Sequence, residues 1–180
     1  MTKQIIPYLP IDLVEPKEIV DAVRARRGGT LLNLDRMLLN SPALIRGWNA
    51  HLKEIRENLT LDDKYKEIGM CGVAILNRAE YEFIHHAPEL LKAGGTQAQV
   101  DELRKIDTAA FNTSLFDATE LDVIALTVAM TRHIEVPVEV MERLQKTLGN
   151  QETVEMVAVV ATYNMVSRFL IATGVSPENH

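Results

Sequence analysis

The sequence predicts an all-α protein, a single-domain helical bundle, on three observations. No stretch alternates apolar and polar residues over the length of a strand. Apolar residues recur instead at helical spacing, as in Leu44, Trp48, Leu52 and Ile55. Helix starts and stops punctuate the chain: Ser41-Pro42, Thr96 and Asp117-Ala118-Thr119-Glu120 open helices, and Gly28-Gly29, Gly94-Gly95, Gly149 and Gly174 close them.

Taken in order, residues 1–15 carry Pro7 and Pro10 among Ile5, Ile6 and Leu13 and read as an extended arm packed on the body. A short helix follows from Pro16 to Arg26. Arg24, Arg26 and Arg27 cluster at its end and read as a solvated helix terminus, favoured over an anion site. Leu31 to Leu39 is a short apolar helix. Ser41 caps the next, whose buried face is Leu44, Trp48, Leu52 and Ile55; Trp48 reads as core in preference to a pocket wall. Later helices are expected from Gln97 to Ile106, from Asp117 to about His133, from Pro137 to Gly149, and from Gln151 to about Thr173, with a loop from Asp107 to Phe116.

The densest set of acid–base groups lies between Leu61 and Gly95. Ile68 to Leu76 carries no charge, which reads as a buried helix, opened by acids at Asp62 and Asp63 where the helix dipole favours them. Glu67 is the last charge before the apolar run, and a carboxylate entering a core needs a partner or a proton. Cys71 lies one turn further along the same face. Asn77-Arg78-Ala79-Glu80 has a cap residue followed three positions later by Glu, so Asn77 is expected to start a second helix. Glu82 then falls in its first turn, with His86 at i+4 and Pro88 disfavouring an unkinked helix beyond. His85, adjacent and rotated about 100° away, reads as surface or interface. The break decides the function. In one straight helix Glu67 and His86 would stand about 28 Å apart; folded back at Asn77–Glu80 they can meet.

A weak self-similarity runs through the chain. Gly72-Val73-Ala74-Ile75 and Thr127-Val128-Ala129-Met130 sit fifty-five residues apart, as do Gly94 and Gly149. An internal helical-hairpin repeat would explain this, and chance similarity explains it equally well. At that offset Asp122 answers Glu67, Pro137 answers Glu82 and Met141 answers His86, so only the first hairpin keeps the acid–base set.

Composition narrows the function classes. At 180 residues, 47% hydrophobic, the chain is long enough for a real core and too apolar for disorder. A net charge of −6 argues against nucleic acid or anionic membrane as partner. No apolar run approaches the roughly 18 residues of a membrane span, and MTKQIIPYLPIDL lacks the apolar core of a signal peptide. The expectation is a soluble cytoplasmic protein. One cysteine excludes an internal disulfide, and the Glu67, Glu82, His85, His86 set lacks a recognised metal spacing, so no metal is expected.

The pattern Glu67, eleven residues, Ala79-Glu80-Tyr81-Glu82, three residues, His86 resembles the carboxymuconolactone decarboxylase and alkyl hydroperoxidase D family. Its thiol-dependent branch carries E-x11-C-x-x-C-x3-H. Glu67 and His86 match the glutamate and histidine, while Ala79 and Glu82 stand where the two cysteines would be. Tyr81-Glu82-Phe83 with His86 resembles the Y-E-W-x-x-H run of the decarboxylase branch, and Tyr163-Asn164-Met165-Val166-Ser167-Arg168 resembles the Y-N-x-x-x-R stretch of the last helix. The resemblance runs from about Asn40 to Gly174. It implies a homo-oligomer, from trimer to hexamer, without organic cofactor or metal, that decarboxylates a small acidic lactone or keto acid. Glu67, Glu82 and His86 are the candidate catalytic residues; Trp48, Tyr81, Arg78 and Arg168 are candidate substrate contacts, and Cys71 a candidate redox group. A peroxidase, disfavoured by the missing dithiol, and a non-catalytic oligomeric ligand-binding protein are the alternatives.

Overall fold

The computed structural model describes residues 3–178, which divide into two compact units. One holds the chain up to Leu59 together with the stretch from Leu170; the other is Thr60–Phe169. Eight helices and no strand occur among the described residues, so the all-α reading holds.

In the first unit α1 (Lys17–Arg26) and α2 (Asn33–Leu38) pack on α3 (Pro42–Lys53), which runs on through a π turn, Glu54–Asn58. Ile19, Val20 and Val23 of α1 are buried, as are Ile45, Trp48 and Leu52 of α3 and Ile55 beyond it. The face is therefore rotated from the one read in the sequence: Leu44 is 43% exposed, and Ile45, at 0%, takes its place. Ser41 caps α3 as expected, accepting from Leu44 N. The arginine cluster departs from its reading as a solvated helix end. Arg26 and Arg27 both engage the fully buried Asp35, with Arg27 Nε 3.0 Å from Oδ2. Arg24 donates to the carbonyls of Ile11 and Leu13 and so holds the N-terminal arm. Residues 3–15 contain no helix or strand and turn at 11–12, and Ile5, Ile6, Ile11 and Val14 are exposed.

In the second unit α4 (Asp63–Leu76) is central. It packs against α5 (Glu80–Lys92), α6 (Gln97–Leu103) and α7 (Ala118–Arg132). Asp62 caps it, and every residue from Ile68 to Leu76 is buried except the half-buried Ile75. Two glycines allow the close packing. A Cβ on Gly69 would stand 2.5 Å from Met156 Cε, and one on Gly72 would stand 3.0 Å from Thr127 Cγ2 and 3.1 Å from Ile106 Cδ1. Thr96 with Gln99 and Asp117 with Glu120 form complete capping boxes at α6 and α7.

The last helix, α8 (Val138–Thr173), is broken at Gly149, whose φ of 76° and ψ of 178° are non-helical, so the two helices expected there are present end to end. By length and composition alone α8 holds a window apolar enough to cross a membrane, which a count of uninterrupted apolar residues did not register. Within α8, Asn164 and Ser167 bond to Asn77 and Thr131 of the same unit.

The fifty-five-residue offset has a structural counterpart. Asp62 and Asp117 both cap their helices, α4 and α7 occupy matching stretches, and Gly94 and Gly149 both take positive φ. The two hairpins nevertheless turn on non-glycine residues in the left-handed region, Arg78 (φ 59°) and Ile134 (φ 70°). That conformation costs an L-residue roughly 1–2 kcal/mol. We predict that Arg78→Gly and Ile134→Gly each raise stability by about 1 kcal/mol, an increase of about 2–4 °C in Tm for a chain of this size. Calorimetry of the two variants checks this.

Candidate acid–base site

Glu67 lies in the second turn of α4 and His86 in the second turn of α5. The chain between them reverses at the end of α4. Arg78 N–H donates to Ile75 O and Ala79 N–H to Ala74 O, the two bonds of a Schellman ending, with Arg78 in the position usually held by glycine. Asn77 is therefore the C-cap of α4 and not the N-cap of α5. The N-cap is Ala79, which has no capping side chain and is buried. The sequence signal misled because the asparagine side chain is committed elsewhere. Its amide donates to Asn164 Oδ1 at 3.0 Å and Ser167 Oγ at 2.7 Å.

With the chain so reversed, His86 Nδ1–H donates to Glu67 Oε2 at 2.7 Å across the two helices. A carboxylate oxygen only accepts, so the bond holds the imidazole with its proton on Nδ1. The His86 side chain is 4% exposed and that of Glu67 14%. The buried Tyr163 ring packs against His86 in a T-shaped contact, with ring centroids 4.8 Å apart and planes at 89°. Glu82, in the first turn of α5, is also buried. The Cys71 thiol is pushed well above its ordinary range, chiefly by burial and then by the Glu67 and Glu82 carboxylates, which outweigh the opposing Arg104. Those carboxylates thus share one electrostatic environment with Cys71, and a thiolate is disfavoured there.

The other candidates are placed differently. Tyr81 is buried, and its ring stacks on His85 at 4.3 Å. His85 Nδ1–H also donates to the Tyr81 carbonyl at 2.7 Å; its ring is half-buried and not a surface group. Arg78 is exposed on the turn. Arg168 is exposed and donates to the backbone and side-chain oxygens of Asn164. Trp48 is buried in the first unit. Pro88 does not end α5, which continues to Lys92. No group of three His, Cys, Asp or Glu side chains is placed to hold a metal ion among the described residues.

Reading the sequence passed over Tyr163, Asn164 and Asn77 as site residues. The Tyr163-to-Arg168 stretch was the available signal, but only the fold brings it beside His86 and the turn. Arg104 was also missed; its guanidinium lies 4.0 Å over the Phe83 ring.

The fold is all-α and resembles that of alkyl hydroperoxidase D-like structures. Residues 42–121 match the model of the carboxymuconolactone decarboxylase family, which bears out the resemblance drawn from Glu67 and His86 and takes in both residues. Among solved structures, an uncharacterized peroxidase-related protein from Silicibacter sp. TM1040 superposes with a TM-score of 0.76 at 18% identity, over 99% of this chain and 95% of the other. An alkylhydroperoxidase AhpD core protein from Ralstonia eutropha JMP134, also described as peroxidase-related and uncharacterized, gives 0.75 at 14% identity, over 98% and 95%. At these identities the likeness is one of fold. No curated protein matches the chain.

The buried thiol yields a prediction. A thiol whose folded pKa is raised keeps its proton when the unfolded chain would lose it. Stability is therefore fully present below about pH 8.5, the unfolded value, and falls as pH rises above it. We expect native Cys71 to resist iodoacetamide at neutral pH and to react at once in denaturant, and unfolding midpoints to decline above about pH 8.5. Mass spectrometry and denaturant titrations check the two outcomes.

Proposed function

We propose that this chain is a cofactor-independent acid–base enzyme that decarboxylates a small acidic lactone or keto acid. The observation that carries the reading is the 2.7 Å bond from His86 Nδ1 to Glu67 Oε2 across two helices, almost closed to water. The family match over 42–121 supports it.

In this reading the C–C bond to the substrate carboxylate breaks, CO₂ leaves, and the electron pair passes into the lactone or ketone as an enolate. Protonated His86 delivers its Nε2 proton to the carbon that lost CO₂, completing the product. Glu67 orients the imidazole and stabilises its charged form; Glu82, in the first turn of α5, adds a second negative charge beside it. Glu67 is the more open member of the pair, so substrate enters from its side. Tyr81 sits one residue from Glu82 and is kept as a substrate contact. Arg78 is retained as the cation able to meet a substrate carboxylate; Arg168, expected to do so from sequence, donates to Asn164 instead. The active form is a homo-oligomer, from trimer to hexamer, in the cytoplasm; the exposed Ile84 and Leu91 of α5 suit burial between copies.

A peroxidase is the second reading, since both similar structures are of peroxidase-related proteins. The burial and raised pKa of Cys71 weigh against it.

Acidic lactones and β-keto acids screened for CO₂ release, beside hydroperoxides with a thiol reductant, separate the two. On the true substrate His86→Gln should abolish turnover with the fold intact, and Glu67→Gln should lower kcat by about 10²–10⁴-fold. The double variant should lose little more than the worse single one, because the two groups act as a unit. Wild-type activity in His86→Gln would overturn the assignment.

A further inference from the structure

The end of α4 is tied to α8 by a polar array whose polarity has one solution. Asn164 Oδ1 receives Arg168 Nη1, and arginine can only donate. Asn164 Nδ2 donates at 3.0 Å to the Val160 carbonyl, which can only accept, and at 3.0 Å to Thr131 Oγ1. The Asn164 amide therefore cannot flip. Its Oδ1 must also take a donor from Asn77, which orients the second amide and directs its other N–H to the fully buried Ser167 Oγ at 2.7 Å. Asn77 is the last residue before the reversal that brings α5 back along α4. One residue before Asn164 in α8, Tyr163 packs its ring against that of His86 in a T-shaped contact.

We propose that Asn77, Tyr163 and Asn164 are positioning residues for the Glu67–His86 pair: the Arg168–Asn164–Asn77 chain locks the α4–α5 reversal, while Tyr163 restrains the His86 ring at the angle that keeps Nδ1 on Glu67. This rests on the acid–base reading of the pair given above. It assigns Arg168 to holding an amide in one orientation. The stretch from Tyr163 to Arg168 acts as one device, with ring and clamp delivered from the same turns of α8.

The test reads His86 directly. In ¹⁵N-labelled protein near neutral pH, the two ring-nitrogen shifts report which nitrogen carries the proton. Wild type should show the Nδ1–H tautomer. Tyr163→Phe, which keeps the aromatic ring, should keep that signature. Tyr163→Leu and Asn77→Asp should lose it, with kcat down at least tenfold and KM little changed. If Asn77→Asp does not fold, Asn77→Ser, which retains one hydroxyl, takes its place. The Asn77 variant combined with Glu67→Gln should show no further loss in kcat, since the contact being positioned is already gone. A folded Tyr163→Leu or Asn77 variant with the wild-type tautomer overturns the proposal, because a merely structural role lowers Tm without moving the proton. If the tautomer is lost in the variants but wild type turns over no lactone or keto acid, the clamp stands and the decarboxylation reading falls.

Discussion

Glu67 and His86 are nineteen residues apart in the chain, and the hydrogen bond between them exists only because α4 ends abruptly and α5 runs back along it. That reversal is built without the usual glycine. Arg78 takes the left-handed position, Ala79 is buried behind it, and the cost is carried by the contacts that hold α4 from the other side. Gly69 and Gly72 contribute by letting α4 sit close to Met156, Thr127 and Ile106. The helix bearing the carboxylate is thereby fixed on one face by backbone-level packing and at its end by the Asn77 amide. Little freedom remains for Glu67 to move away from the imidazole.

The site also concentrates acidic character in a place that excludes water. Glu67, Glu82 and Cys71 influence one another, and the effect on the sulfur is to hold its proton. This arrangement disfavours a thiolate at Cys71. It separates the chain physically from a dithiol mechanism, in which the first turn of α5 would present sulfur at positions 79 and 82. Here those positions hold a methyl group and a buried carboxylate, so the same backbone offers a different chemistry.

The second hairpin shows what the same plan does without the site. Asp122, at the offset of Glu67, pairs with Arg143 Nε at 2.7 Å on an exposed edge, and Met141 stands where His86 would be. A carboxylate on the equivalent turn is spent on an ion pair of the kind that contributes little. The buried charge of the first unit follows a third pattern. Asp35 holds Arg26 and Arg27 out of water, and its removal would strand two cations, so that pair specifies local structure and carries no chemistry.

By itself the sequence determined the helical class, the buried character of α4, the caps at Ser41, Thr96 and Asp117, and the break at Gly149, because each rests on local periodicity or on a side chain bonding a backbone group a few residues away. It also singled out Glu67 and His86, through their spacing and the family pattern. Only the tertiary structure decided which partners Asn77, Arg168, Tyr163 and the arginines of α1 meet, and that Leu44 is exposed. Asn77 has the composition of an N-cap, yet its amide is claimed by Asn164 and Ser167, about ninety residues away in the chain. Arg26 and Arg27 read as a solvated end until α2 places Asp35 beneath them. In each case a polar group has several partners of similar local quality, and the choice is made by a distant element whose position follows from packing the whole core.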